Sequence, residues 1–149
     1  MDGILANAGE YRTKGARPAG SIFEYIQPDA IPQEVEKICR QRGCQLKRSK
    51  STLERIKIAA NLLSGFLHTH PFSNGNGRTA RVILNAILLI DFSIPVSLFR
   101  TKGSSEIYLA CLEEARFAND RGPLARFILE NVFSSLHLAC SSLDILAED

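Results

Sequence analysis

The chain has 149 residues, 45% of them apolar and 23% charged, the make-up of one globular domain able to bury its own core. Its 18 Lys and Arg against 16 Asp and Glu leave a formal charge of +2, too small to point to a nucleic-acid binder. The longest apolar run, Val82 to Ile90, is broken by Asn85 and falls short of the roughly 18 residues of a membrane span.

The first stretch, MDGILANAGEYR, has neither the basic start nor the long apolar core of a signal peptide. Residues 1–30 read as loop, punctuated by Gly3, Gly9, Gly15, Pro18, Gly20 and Pro28. Within them SIFEYIQ alternates and carries β-branched and aromatic side chains, which fits one strand of a short hairpin turning near Gly20 and Ser21. Pro32 suits the first turn of a helix running to about Arg42. The polar, basic QRGCQLKRSK that follows reads as a solvated loop. Ser51 and Glu54 then form a capping-box pattern, and Leu53, Ile56, Ala60, Leu63 and Leu67 recur at helical spacing. Pro71 disfavours a helical residue 70, so this helix should stop near His68.

Beyond the polar run HPFSNGNGR, the segment RTARVILNAILLID is apolar all round after Arg81, which predicts a helix at the centre of a bundle. Pro95 ends or bends whatever precedes FSIPVSLF. SSEIYLACLEEARFA reads as another helix. Asp120 and Pro123 open a last one through Leu124, Phe127, Ile128, Val132 and Leu136. The expectation is a single domain, residues 1–149, mainly α, with one small hairpin near the start. Cys39, Cys44, Cys111 and Cys140 include no CxxC pair, so reduced thiols in a cytosolic-type protein are expected, without a zinc site.

The chemistry concentrates at residues 70–81. Gly75, Asn76 and Gly77 fall where one helix ends and the next begins, and free N–H groups at a helix start favour an anion. Glycines let a phosphate approach the backbone. Arg78 and Arg81, three apart on one face, each offer a fork for two phosphate oxygens, and both oppose the helix dipole unless an outside anion is present. His70, which titrates near neutrality, can take a proton from a hydroxyl. Phe72 reads as an anchor for the loop, and His68 as a helix-end or surface residue. GNGRTA also satisfies the dinucleotide fingerprint, but that needs a preceding strand and a βαβ unit; the preceding segment is helical in period and Asp91 comes early for the ribose-binding acid. No Gly-Lys-Ser/Thr of a Walker A loop occurs.

HPFSNGNGRTAR resembles the signature of the Fic family, H-x-F-x-[D/E]-G-N-G-R-x-x-R, with a departure only at Asn74. GEYRT at residues 9–13 is similar to the family's G-x-Y-R segment, FEYIQPDAIP to the end of its flap, and LACLEEARFANDRGPLARFI to the helices after the core. The resemblance implies a compact helical bundle with a β-hairpin flap at about residues 11–28. It implies AMP transfer from ATP, with Mg²⁺, to a Ser, Thr or Tyr hydroxyl of a target protein. In that scheme His70 is the base. Gly75, Asn76 and Gly77 hold the phosphates, Arg78 and Arg81 neutralise them, and Ser21, Ile22, Phe23, Glu24 and Tyr25 pair with an extended target segment. Asn74 stands where the family has an acidic Mg²⁺ ligand, and a neutral carbonyl is a weaker one. This leaves open slower turnover, transfer of another phosphate-containing group, or a non-catalytic nucleotide- or protein-binding module. The family's inhibitory pattern [S/T]-x-x-x-E-[G/N] does not occur in these residues, so an inhibitor is a separate protein, a segment outside them, or absent altogether. The expected setting is the cytoplasm, or a host cytosol for a delivered effector, with neither nucleic acid nor membrane as partner.

Overall fold

The computed structural model describes residues 9–18 and 23–147, with side chains to residue 143. Five α-helices follow a 3₁₀ turn at Pro28–Ala30: α1 (Ile31–Arg48), α2 (Thr52–Thr69), α3 (Asn76–Phe92), α4 (Ser104–Phe117) and α5 (Gly122–Ala147). There is no strand among the described residues. The expected hairpin turn, residues 19–22, lies outside them. On either side of it the Tyr25 N–H donates to the Ala16 carbonyl at 3.0 Å. None of the helices is long and apolar enough to cross a membrane.

The Ser51 cap forms as read, its Oγ accepting from the Glu54 N–H at 3.2 Å, while the Glu54 carboxylate reaches one residue further back and accepts from the Lys50 N–H at 2.8 Å rather than from Ser51. α2 is the central helix. It packs against α1, α3, α4 and α5, and Ile56, Ala59, Ala60 and Leu63 are all but inaccessible to solvent. The two alanines let its neighbours approach closely, while Leu84, Leu88, Leu124 and Ile128 supply the facing volume. Leu53, expected on the apolar stripe, is 51% exposed.

Two larger expectations also fail. QRGCQLKRSK is not a loop: α1 continues through Arg48, because Leu46 packs against the core and a single Gly43 costs a helix only about 1 kcal/mol. And α3 is not buried all round. Val82, Ala86, Leu89 and Ile90 form one exposed face, with Val82 and Ile90 about 70% accessible, because α3 packs chiefly on α2. Asp91, near its end, is held by Arg55 of α2 through two bonds of 2.6 and 2.7 Å, so this carboxylate is tied up in the fold. Asn85 receives the chain after α3, its side chain accepting from the Val96 N–H at 2.6 Å and donating to the Val96 carbonyl at 3.1 Å.

Candidate active site

α2 ends because His70 turns into the left-handed region (φ 47°, ψ 59°), its N–H still bonded to the Phe66 carbonyl at 3.0 Å. Pro71 follows and has no N–H to continue the ladder. The turn exposes the last carbonyls of α2, and Arg12 collects them. Only 4% of this arginine is accessible. Its Nε donates to the His70 carbonyl at 2.8 Å, and its terminal nitrogens donate to the carbonyls of Thr69, Lys14 and Ile26. Its backbone N–H also donates to the Pro71 carbonyl at 2.9 Å. A cation at a helix C-terminus complements the dipole. Here it also fastens the segments on both sides of residues 19–22 to the residue that carries the imidazole.

The His70 ring lies flat on Tyr25, centroids 4.0 Å apart at 12°, and is half-buried. Burial pushes its pKa below the ordinary value. The cationic Arg12 and Arg116 push the same way, and a backbone hydrogen bond at Leu67 opposes them. The imidazole is therefore neutral at physiological pH, the form a base must have. Phe23 packs on His68, with centroids at 5.1 Å, while the Arg116 guanidinium sits 4.5 Å above the Phe23 ring. The pKa of His68 is likewise lowered, by burial first and then by Arg116 and Arg121.

The loop after Pro71 is shaped from within. The buried Asn76 carboxamide accepts from the Phe72 N–H at 2.9 Å and donates to the Phe72 carbonyl at 2.7 Å. Asn74 Oδ1 accepts from the Gly75 N–H at 2.6 Å. Gly75, at φ +83°, makes the left-handed step that starts α3, a conformation that costs other residues about 1–2 kcal/mol. No side chain caps α3 and no acid lies in its first turn. Its leading amides, from Asn76 to Arg78, are thus available to an outside acceptor. Both guanidiniums fold back over this start. A Cβ at Gly77 would meet Arg81 Nη1 at 3.3 Å, and one at Gly75 would meet Arg78 Nη2 at 3.6 Å. Arg81 also lies 5.0 Å over the Phe99 ring. Two cations around bare amides form an anion seat.

The sequence-derived residues thus fall into groups. Gly75, Gly77, Arg78 and Arg81 come together at the start of α3. Asn76 contributes its amide there, while its side chain serves the loop. Asn74 is exposed with its oxygen engaged. Ser21 and Ile22 lie outside the described residues, Glu24 is exposed, and Tyr25 supports the His70 ring. Sequence reasoning missed Arg12 and Arg116. GEYRT gave the only signal for Arg12, and Arg116 falls within LACLEEARFANDRGPLARFI without being singled out there.

The chain is thus a helical bundle whose third helix starts uncapped between two arginines, a few residues after the half-buried His70. The family model described as Fic/DOC matches residues 1–88, so the chain belongs to the Fic/DOC family. It is 28% identical over 150 residues to a Fido domain-containing protein of Dictyostelium discoideum, covering 97% of this chain and all of that one. It is 30% identical to the protein adenylyltransferase Fic of Nematostella vectensis over 81% of this chain, but spans only 26% of that longer protein. Among solved structures, Fic-1 of Caenorhabditis elegans superposes with a TM-score of 0.72 at 27% identity, over 93% of this chain and 38% of that one.

Proposed function

We propose that this chain transfers AMP from ATP to a hydroxyl of a protein substrate. The observation that carries the reading is the bare start of α3, with Arg78 and Arg81 folded over Gly75 and Gly77 and no carboxylate in the first turn. The name of the Nematostella relative supports it. His70 takes the proton of the acceptor hydroxyl, whose oxygen attacks the α-phosphorus. The bond to the bridging oxygen breaks, and pyrophosphate leaves against the arginines. Positioning and charge stabilisation supply the catalysis. The acceptor segment would add as a strand along the flap, residues 21–25, where main-chain bonds fix register with little regard to sequence. An inhibitory segment or protein would act by presenting a carboxylate to Arg81.

The site's own residues do not fit a resident Mg²⁺. Asn74 offers one neutral oxygen, already engaged by Gly75, where a carboxylate would be the better ligand for a hard cation. Cytosolic conditions, rich in ATP and reducing toward free thiols such as Cys39, Cys44 and Cys140, suit this chemistry. Intact mass after incubation with each of several nucleotides tests the proposal. An increment equal to AMP, absent in His70→Ala, is the expected result; an increment of phosphate or of another nucleotide names a different transfer.

The engaged Asn74 oxygen favours a second reading, a nucleotide-binding module with little turnover. It predicts ATP binding that is indifferent to Mg²⁺ and no increment with any nucleotide.

A further inference from the structure

α1, α2, α4 and the connection from α4 to α5 line a cavity of about 300 Å³ that none of the residues of the α3 start lines. Lys37, Arg42, Arg116 and Arg121 line it against a single carboxylate, Glu34, which already pairs with Lys37 at 3.0 Å. The excess of positive charge in this one cavity exceeds the +2 of the whole chain. Among the described residues, none of the three guanidiniums has an ion-pair partner. Arg42 and Arg121 are held instead by neutral acceptors: Gln45 Oε1 at 2.8 Å for the first, and the Asn119 carbonyl, also at 2.8 Å, for the second. The Nε–H groups of both are buried and meet no acceptor at all. Buried donors in native proteins are normally satisfied, so these call for an anion.

The cavity's position says whose anion. His68, in the last turn of α2 and two residues before His70, lines it. Arg116 lines it too, and that guanidinium lies 5.6 Å over the Tyr25 ring on which the His70 imidazole rests. Phe23 and Tyr25 thus link the two: both rings lie under Arg116 of the cavity wall, and Tyr25 carries the imidazole on its face. An extended segment advances about 3.3 Å per residue, so a side chain a few positions from a hydroxyl at His70 reaches the opening. The volume is at the small end for ligand sites, suited to one acidic side chain rather than to a second nucleotide.

We infer that this cavity receives an acidic side chain of the acceptor protein, Asp or Glu, placed a few residues from the modified hydroxyl. The inference rests on the transfer reading and adds the sequence preference that strand pairing alone does not provide. Bidentate acceptance from Arg42 or Arg121 would satisfy the buried donors and select a carboxylate over an amide.

The test separates binding from transfer. Short fluorescent peptides with a central Thr and a Glu or Gln at each flanking position are titrated by anisotropy, without nucleotide, at low salt. The wild type should bind the best Glu peptide about tenfold tighter than its Gln counterpart. Arg42→Ala/Arg121→Ala should abolish the difference, while Lys47→Ala/Arg48→Ala, which removes the same charge from the exposed end of α1, should keep it. Arg42→Glu/Arg121→Glu should prefer Lys peptides. Equal binding of Glu and Gln peptides by the wild type overturns the inference whether or not the variants fold. So does equal loss in the Lys47/Arg48 control. Incubation of the wild type and the peptides with α-labelled ATP reads the transfer separately. A Glu preference with no label on any protein or peptide keeps the cavity and discards the transfer; label without preference does the reverse.

Discussion

Replacing Arg12 by Met keeps an apolar stem in a site only 4% accessible, but removes every side-chain donor. Four carbonyls lose their partner: His70, Lys14, Ile26 and Thr69, the last bonded at a long 3.4 Å. Lys14 is exposed, so water replaces the donor there. The His70 and Ile26 bonds carry most of the effect. At about 1.5–3 kcal/mol for a bond from a charged donor, two such bonds give roughly 3–5 kcal/mol, allowing for partial rescue by water. That is a large part of the 5–15 kcal/mol typical of a domain, and for this length a Tm loss of about 10 °C. Arg12→Lys keeps the charge but can reach only some of the carbonyls, so it should fall between. Urea unfolding followed by circular dichroism measures both. A loss below about 1 kcal/mol for Arg12→Met would refute the reasoning, since the carbonyls would then not depend on the guanidinium. In protein still folded, transfer should drop while ATP affinity holds, because Arg12 positions His70 and does not touch the α3 start.

Asn76→Ala should cost about 2–3 kcal/mol in the same unfolding assay, because Phe72 would lose both backbone partners; an unchanged midpoint contradicts the role given to this side chain. The lowered pKa of His70 keeps it neutral at pH 7, so transfer should be flat from neutrality down and fall only below about pH 6.5. The unfolded chain takes up that proton first, so stability should also decline as pH falls through this range. An acid limb centred above pH 7 opposes the assignment. Asn74→Asp should sharpen the Mg²⁺ dependence of ATP binding by calorimetry, since a carboxylate replaces a neutral oxygen; identical metal dependence would show that position 74 does not face the phosphates.

Much of this was legible in the sequence because it is local. The Ser51 cap before α2, the spacing of Leu124, Phe127, Ile128 and Val132, and the left-handed step at Gly75 all act over a few residues. The extent of α1 was not, since Leu46 is held by tertiary packing that no window of QRGCQLKRSK reveals. The exposed face of α3 also escaped, because an all-apolar segment does not say which of its sides has a partner. Within the site, the signature marked the residues that gather at the start of α3. It did not mark those that hold them: Arg12 lies 58 positions before His70, and Tyr25 supports the ring from another segment. Long-range contacts of this kind leave no periodicity to read.

The central claim is that the seat at the start of α3 holds a nucleoside triphosphate for attack at its α-phosphorus by a hydroxyl that His70 deprotonates. Parallel incubations with ATP labelled at the α- or the γ-phosphate test it most directly. Label from the α position alone should become protein-bound in the wild type and vanish in His70→Ala. Retention of the γ-label, or equal α-labelling of the wild type and the variant, would contradict it.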